Sequence, residues 1–195
     1  MFTGLVEEVG IITNHINTKD GIEIEINANI IMEDLKVNDS ISCSGVCLTV
    51  TSTNDSNFKV QIVEETLSRT TAGTWQVGTK INLERSLLPS SRMGGHFVQG
   101  HVDRVIKLIK IIPGQDSAVW HFAQTSDIDK YIVEKGSICL DGISLTIALK
   151  EKEYFSVALI PHTLSVTTWK QKKVGELINV EVDIMAKYME SLLGA

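Results

Sequence analysis

Ser40-Ile41-Ser42-Cys43-Ser44-Gly45-Val46-Cys47-Leu48-Thr49-Val50 is written a second time, with changes, as Ser137-Ile138-Cys139-Leu140-Asp141-Gly142-Ile143-Ser144-Leu145-Thr146-Ile147. The offset of 97 residues that carries Gly45 onto Gly142 continues downstream. It sets Thr66-Leu67-Ser68 on Thr163-Leu164-Ser165, Val77-Gly78 on Val174-Gly175, and Ile81-Asn82-Leu83-Glu84 on Ile178-Asn179-Val180-Glu181. Near the start the offset is 96, placing Gly4 and Val6 on Gly100 and Val102, so one indel separates the registers. A repeat of this length is a structural unit used twice.

Within each copy the hydrophobic period is two. Ile22, Ile24 and Ile26 alternate with Glu23, Glu25 and Asn27; Phe58, Val60 and Ile62 follow the same rhythm, as do Phe155, Val157 and Leu159. That is the signature of half-buried strands. Short strands between turn residues, without long intervening helices, indicate an all-β chain: two antiparallel barrels or sandwiches, with closure removing exposed edges. Short helices are expected at Ile30 to Leu35 and Asp127 to Val133. The first has Asn29 as N-cap; the second has Ser126 and Asp129 as an approximate capping box and Gly136 as a C-terminal cap. Ile184 to Leu193 carries apolar residues at helical spacing, a tail helix whose face must pack on its own barrel or on a partner chain. The expected units are residues 1–88, residues 89–184 and the helix 185–195, the boundary falling near Pro89-Ser90-Ser91.

Composition narrows the function classes. Apolar residues make up 43% and charged residues 22%, a globular balance, and no apolar run approaches the roughly 20 residues of a membrane helix. A net charge of -6 with scattered lysines argues against nucleic acid as a partner. Three cysteines, Cys43, Cys47 and Cys139, and no secretory pattern after Met1-Phe2-Thr3-Gly4 point to free thiols in the cytoplasm. A zinc site would need a second pair of ligands beside Cys43 and Cys47, so no metal is expected.

Three segments hold polar groups that a purely structural barrel does not require. Met93 to Asp103 contains His96, His101, Gly94, Gly95 and Gly100, and reads either as a bulged strand with internally satisfied histidines or as a site where backbone approaches a ligand. In Gly45 to Thr49 and Gly142 to Thr146, strand alternation turns Cys47, Thr49, Ser144 and Thr146 away from the apolar filling, towards water, a ligand or a partner. Glu64-Glu65-Thr66-Leu67 and Pro161-His162-Thr163-Leu164 read as strand ends able to meet the edge of a planar heterocycle, or as turns.

Taken together, Met1 to Glu7, Gly45 to Val50, Gly94 to Asp103, Gly142 to Thr146 and Asn179 to Asp183 resemble the riboflavin synthase family over essentially the whole chain. The resemblance implies two six-stranded Greek-key barrels and a C-terminal helix, in a cytoplasmic homotrimer that uses no cofactor. It implies a dismutation in which two molecules of 6,7-dimethyl-8-ribityllumazine exchange a four-carbon unit to give riboflavin and 5-amino-6-ribitylaminouracil. By that likeness His101 moves protons, Cys47 and Ser40 serve the N-terminal barrel, Ser144, Thr146 and Asp141 serve the C-terminal one, and Asp183 orients them. The heterocycle and ribityl chain would be held by Gly4, Leu5 and Val6, by Cys47, Leu48 and Thr49, and by Gln61, Ile62, Val63, Glu64, Glu65 and Thr66. On the other barrel the holding set would be Gly100, His101, Val102, Lys135, Ser144, Leu145, Thr146, and Leu159, Ile160, Pro161, His162, Thr163 and Leu164, with Phe2 as a cover. The chain departs from the family pattern at Arg104, where a small residue is usual, and in a tail that stops soon after Leu193, which bears on a helix-mediated trimer. A lumazine-binding protein of the same fold without catalysis is the competing reading.

Overall fold

The alternating segments close into two barrels. In the computed structural model, which describes residues 1–194, the first contains β1 (Glu8–Thr18), β2 (Gly21–Asn27), β3 (Ser40–Cys43), β4 (Val46–Thr53), β5 (Asn57–Val63) and β6 (Lys80–Arg85). The second contains β7 (Arg104–Pro113), β8 (Ala118–Ala123), β9 (Ser137–Leu140), β10 (Ile143–Lys150), β11 (Tyr154–Leu159) and β12 (Leu177–Val182). Their closed orders, β1-β2-β5-β4-β3-β6 and β10-β11-β8-β7-β12-β9, are the same ring, and all pairs are antiparallel. Even the irregularities repeat: the register slips after Ile12 and Leu108, and after Val50 and Ile147. A bulge bends its strand, and bending at matched places lets a short sheet close.

Each barrel has its own core. The first is filled by Ile24, Ile26, Phe58, Val60, Ile81 and Leu83, the second by Phe122, Phe155, Val157 and Trp169, with Trp120 stacked on Trp169 at 5.0 Å between ring centroids. As alternation requires, Val46, Leu48, Val50, Ile143 and Ile147 point into these cores. Strands β6 and β12 are different, being buried on both faces. Their second face meets the other barrel. There Asn82 and Asn179 form a reciprocal lock. The Asn82 amide donates to the Asp141 carbonyl (2.9 Å) and accepts from the Thr168 N–H (2.8 Å), while Asn179 donates to the Ser44 carbonyl (2.9 Å) and accepts from the Thr71 N–H (2.8 Å). The two tight turns so held, Ser44-Gly45 and Asp141-Gly142, have positive φ at both central residues, the hairpin geometry whose twist matches that of the strands.

The helices differ from the reading of the sequence. The first expected pair shrinks to single 3-10 turns, Ile31–Glu33 and Asp129–Tyr131. Asn29 does not cap the first; the Glu8 carboxylate from β1 does, accepting the N–H groups of Asn29 (2.7 Å), Ile30 and Ile31 (3.0 Å). In the second, neither Ser126 nor Gly136 caps: no side chain caps its start, and the left-handed residue is Lys135 rather than Gly136. The segments read as strand ends or turns instead form helices, α1 (Glu64–Arg69) and α2 (Pro161–Val166). Their starts were signalled by Glu64 and Glu65 in the first turn of α1 and by Pro161 at the first position of α2.

Helix α3 (Ile184–Leu193) stands at the expected residues; Ala195, at the end of the expected 185–195 tail, lies outside the described residues. Asp183 caps α3 through the Met185 N–H (2.9 Å), and Lys187 donates to Asp103 (2.6 Å), tying the polar side of the helix to the second barrel. Its apolar face does not fold back: Tyr188 is 60% and Leu192 86% exposed. Among the described residues no helix is long and apolar enough to cross a membrane.

Candidate active site

The site is positioned by two segments that leave their own barrels. Residues 1–7 precede β1 and 95–103 precede β7; each runs across to the other barrel, and they touch through a Phe2–Val98 bridge. The first arm lies on β10, where the Ser144 N–H donates to the Gly4 carbonyl (2.7 Å). The second lies on β4, where the Cys47 N–H donates to the Gly100 carbonyl (2.8 Å). The exchange is symmetric, and it places each arm beside the polar face of the strand that the sequence repeat singles out. Glycine is required at both crossings. Gly4 and Gly100 have φ of +78° and +81°, and a Cβ on them would lie 2.6 Å from Ser144 Cβ and 2.5 Å from Cys47 Cβ.

Two furnished faces result. On the first barrel Cys47 and Thr49 project outward from β4, with Ser40 directly opposite Thr49 on β3. His101 extends exposed from the arm next to Gly100. Burial pushes the Cys47 thiol above its ordinary range, an effect only partly offset by the nearby Ser40 hydroxyl, so at neutral pH it is a thiol and not a preformed thiolate. Cys43 and Cys139 are fully buried and shifted upward for the same reason. Strand β5 flanks β4, with Val60 opposite Val50, so Gln61, Ile62 and Val63 continue along the Thr49 to Cys47 stretch and α1 begins at their end.

On the second barrel Ser144 and Thr146 project from β10, Thr146 opposite Ser137. Strand β11 again flanks it, with Val157 opposite Ile147, bringing Leu159 and Ile160 alongside and Pro161 to Leu164 into α2. Lys135 is exposed in the turn before β9 and takes a φ of +66°.

His96 is the residue to which the sequence reading gave no role. Its Nδ1 lies 2.7 Å from Ser144 Oγ, and its Nε2 is buried with no hydrogen-bond partner among the described residues. Burial lowers its pKa, with the Asp183 carboxylate working the other way, so the neutral ring can accept the Ser144 hydroxyl proton. A glycine-flanked histidine at the mouth of an arm was the available signal, but only the fold shows which of the two histidines meets the serine.

Other expected residues sit elsewhere. Asp141 is 2% exposed in the seam between barrels, accepting from Trp169 Nε1 (3.0 Å) and the Asn179 N–H (2.9 Å), with Lys172 at 3.3 Å; it shapes the turn before Ser144 rather than sharing its open face. Phe2 is fully buried with Val98 and Cys139, under the crossing arms rather than over the site. Leu48 and Leu159 belong to the cores. Arg104 leans outward to an ion pair with Asp127 (2.6 Å) at an exposed strand end, so the departure there leaves the arm untouched. A cavity of about 570 Å³ opens beside Ser40, between the first arm and β3, lined also by Leu5, Asp39 and Arg92. On the two faces Thr49, His101 and Thr146 are exposed, while Cys47 and Ser144 are half-buried. Among the described residues no group of three or more histidines, cysteines or carboxylates is placed to hold a metal ion.

Comparison with known proteins agrees with this geometry. The family described as lumazine binding domain matches twice, over residues 3–86 and 99–183. The chain is 43% identical over 197 residues to the riboflavin synthase of Schizosaccharomyces pombe, covering 100% of this chain and 95% of that one. It is 40% identical over 193 residues to that of Actinobacillus pleuropneumoniae, covering 99% and 90%. In fold it is similar to LumP complexed with 6,7-dimethyl-8-(1'-D-ribityl) lumazine, with a TM-score of 0.84 over 93% of this chain and 99% of the other at 22% identity. Two lumazine-binding repeats in one chain, and relatives alike from end to end, place this protein in the riboflavin synthase family.

Proposed function

We propose that the protein is a riboflavin synthase, converting two molecules of 6,7-dimethyl-8-ribityllumazine into riboflavin and 5-amino-6-ribitylaminouracil in the cytoplasm. The four-carbon unit gained by one molecule is the one lost by the other, so the reaction balances without oxidant, metal or cofactor. The observation that carries this reading is the exchange of arms. It gives one chain two like faces, each bounded by an outward strand, a glycine carbonyl from the crossing arm and a short helix. Residues 1–88 and 89–184 are the two binding units, with the tail that carries α3 beyond them.

The chemistry calls for a proton taken from the C7 methyl group of one lumazine, a nucleophile added at C7 of the other, and protons returned as bonds re-form. His101 beside Cys47 and Ser40 supplies a proton carrier at the first face. Ser144, backed by His96, supplies a hydroxyl whose proton has an acceptor at the second, with Thr146 beside it and Asp183 near the imidazole. Groups so placed contribute about 10²- to 10⁴-fold each in favourable cases. Fixing two identical reactants face to face contributes more, roughly 7 to 11 kcal/mol where alignment is good.

The faces on one chain are open, which suits closure by a neighbouring subunit, an N-terminal barrel against a C-terminal one. The exposed residues of α3, Met185, Tyr188, Met189 and Leu192, are the surface through which a homotrimer would assemble. The test is incubation of the purified protein with the lumazine alone while flavin absorbance is followed. Flavin formation is expected; tight binding with no flavin would assign the protein to the non-catalytic lumazine binders instead.

A further inference from the structure

Two buried carboxylates have no part in the roles above. Glu84 on β6 and Glu181 on β12 are 5% and 3% exposed, and among the described residues neither forms an ion pair. Each faces its own departing arm instead. Glu181 accepts the N–H of Gln99 (2.7 Å) on one oxygen and those of Gly100 (2.8 Å) and His101 (3.0 Å) on the other. Glu84 accepts the N–H and hydroxyl of Thr3 (2.6 and 2.7 Å) and the N–H of Gly4 (2.9 Å). Consecutive backbone N–H groups around a left-handed glycine make a concave anion seat, and here the anion is part of the chain.

The arms at these points lie outside the named strands, so no sheet ladder fixes them. The same short stretch that donates to Glu181 also gives the Gly100 carbonyl to Cys47 and carries His101. We propose that Glu181 is a positioning residue for the reaction, holding the backbone from Gln99 to His101 so that His101 is set against the Cys47 face, and that Glu84 sets the first arm against Ser144 in the same way. The part concerning turnover rests on the function proposed above; the part concerning the arm does not.

Ionised and buried, Glu181 is a costly group. Burial lifts its pKa to about 6, the three N–H groups pull it back, and Asp103 on the arm adds to the rise. The other titratable groups facing it are Cys47 on β4 and Cys139 on β9, both thiols shifted upward, while His101 joins it through its backbone N–H.

Glu181→Gln tests the assignment, with folding followed by circular dichroism and melting. At pH 7 kcat is expected to fall on the order of 10- to 100-fold, as displacement of a reacting group does, with KM little changed and with more loss than any accompanying loss of folded protein explains, since the amide keeps one acceptor oxygen and some melting shift is expected. In wild-type protein the backbone amide resonances of Gln99, Gly100 and His101 are expected to shift together as pH falls through about 6, alongside an acid limb in kcat, and both features vanish in the variant. Wild-type kcat in the variant, or a loss matching a loss of folded protein, would overturn the proposal. If the variant does not fold, the wild-type amide titration decides, and amides that do not move together near that pH would overturn it. If the wild type makes no flavin, the proposed function fails while the amide titration still judges the arm.

Discussion

Adding one methyl group at Gly100 is the sharpest test of the arm exchange. In Gly100→Ala the new Cβ would lie 2.5 Å from Cys47 Cβ and 2.7 Å from Cys47 N, where carbon atoms prefer about 3.5 to 4.0 Å. Both neighbours are fixed to the β4 backbone, so relief comes only from moving the arm by about 1 Å, which breaks the Gly100 to Cys47 hydrogen bond. That bond contributes about 1 kcal/mol, and the left-handed conformation at φ +81° costs an alanine about 1 to 2 more. A total of roughly 2 to 3 kcal/mol should lower the melting temperature by about 4 to 12 °C in a chain of this size. Flavin formation should fall about 10²-fold as His101 is carried off. Gly78→Ala is the control, because Gly78 has a similar φ of +90° but nothing within 4 Å of its would-be Cβ. It should lose only the conformational part and keep its activity. Equal melting shifts in the two variants, with wild-type flavin formation in Gly100→Ala, would refute the reasoning.

Cys47→Ser and His101→Ala should each lower turnover 10-fold or more while circular dichroism and melting stay near wild type; wild-type rates in both would remove their assigned roles. His96→Ala and Ser144→Ala should each cost on the order of 10²-fold in kcat, and the double variant little more than either alone, since the pair acts as one unit. Additive losses would separate them. Stability should carry the signature of Glu181, whose folded pKa of about 6 lies above its reference of 4.5. A raised carboxyl stabilises the fold below the lower value and loses that contribution as pH rises through the upper one. The change is about 2 kcal/mol. Urea unfolding of wild type and Glu181→Gln at pH 4.5 and pH 7 should therefore show the difference moving by about that amount in favour of the variant; a constant difference would contradict it.

The repeat made the doubled barrel legible because strand periodicity and turn chemistry are local. Alternation at Val46, Leu48 and Val50 correctly sent Cys47 and Thr49 outward, and apolar spacing placed α3. The arms were not legible. Residues 1–7 and 95–103 have no periodicity, and their conformation is set by contacts with the other barrel. The same reason hid His96 and both buried glutamates. Asn82-Leu83-Glu84 and Asn179-Val180-Glu181 alternate as ordinary half-exposed strands do, and only the packing of one barrel on the other turns their polar face inward. Asp141 combines the two. An aspartate before glycine favours the left-handed turn it adopts, but its place in the seam is set by Trp169, Asn179 and Lys172, which no local pattern shows.

Product stoichiometry in buffer free of metal and nucleotide tests the central claim most directly. Two lumazines should disappear for every riboflavin formed, with one molecule of 5-amino-6-ribitylaminouracil released alongside. Lumazine bound at both faces yet never consumed, or riboflavin formed only when some other carbon donor is added, would contradict it.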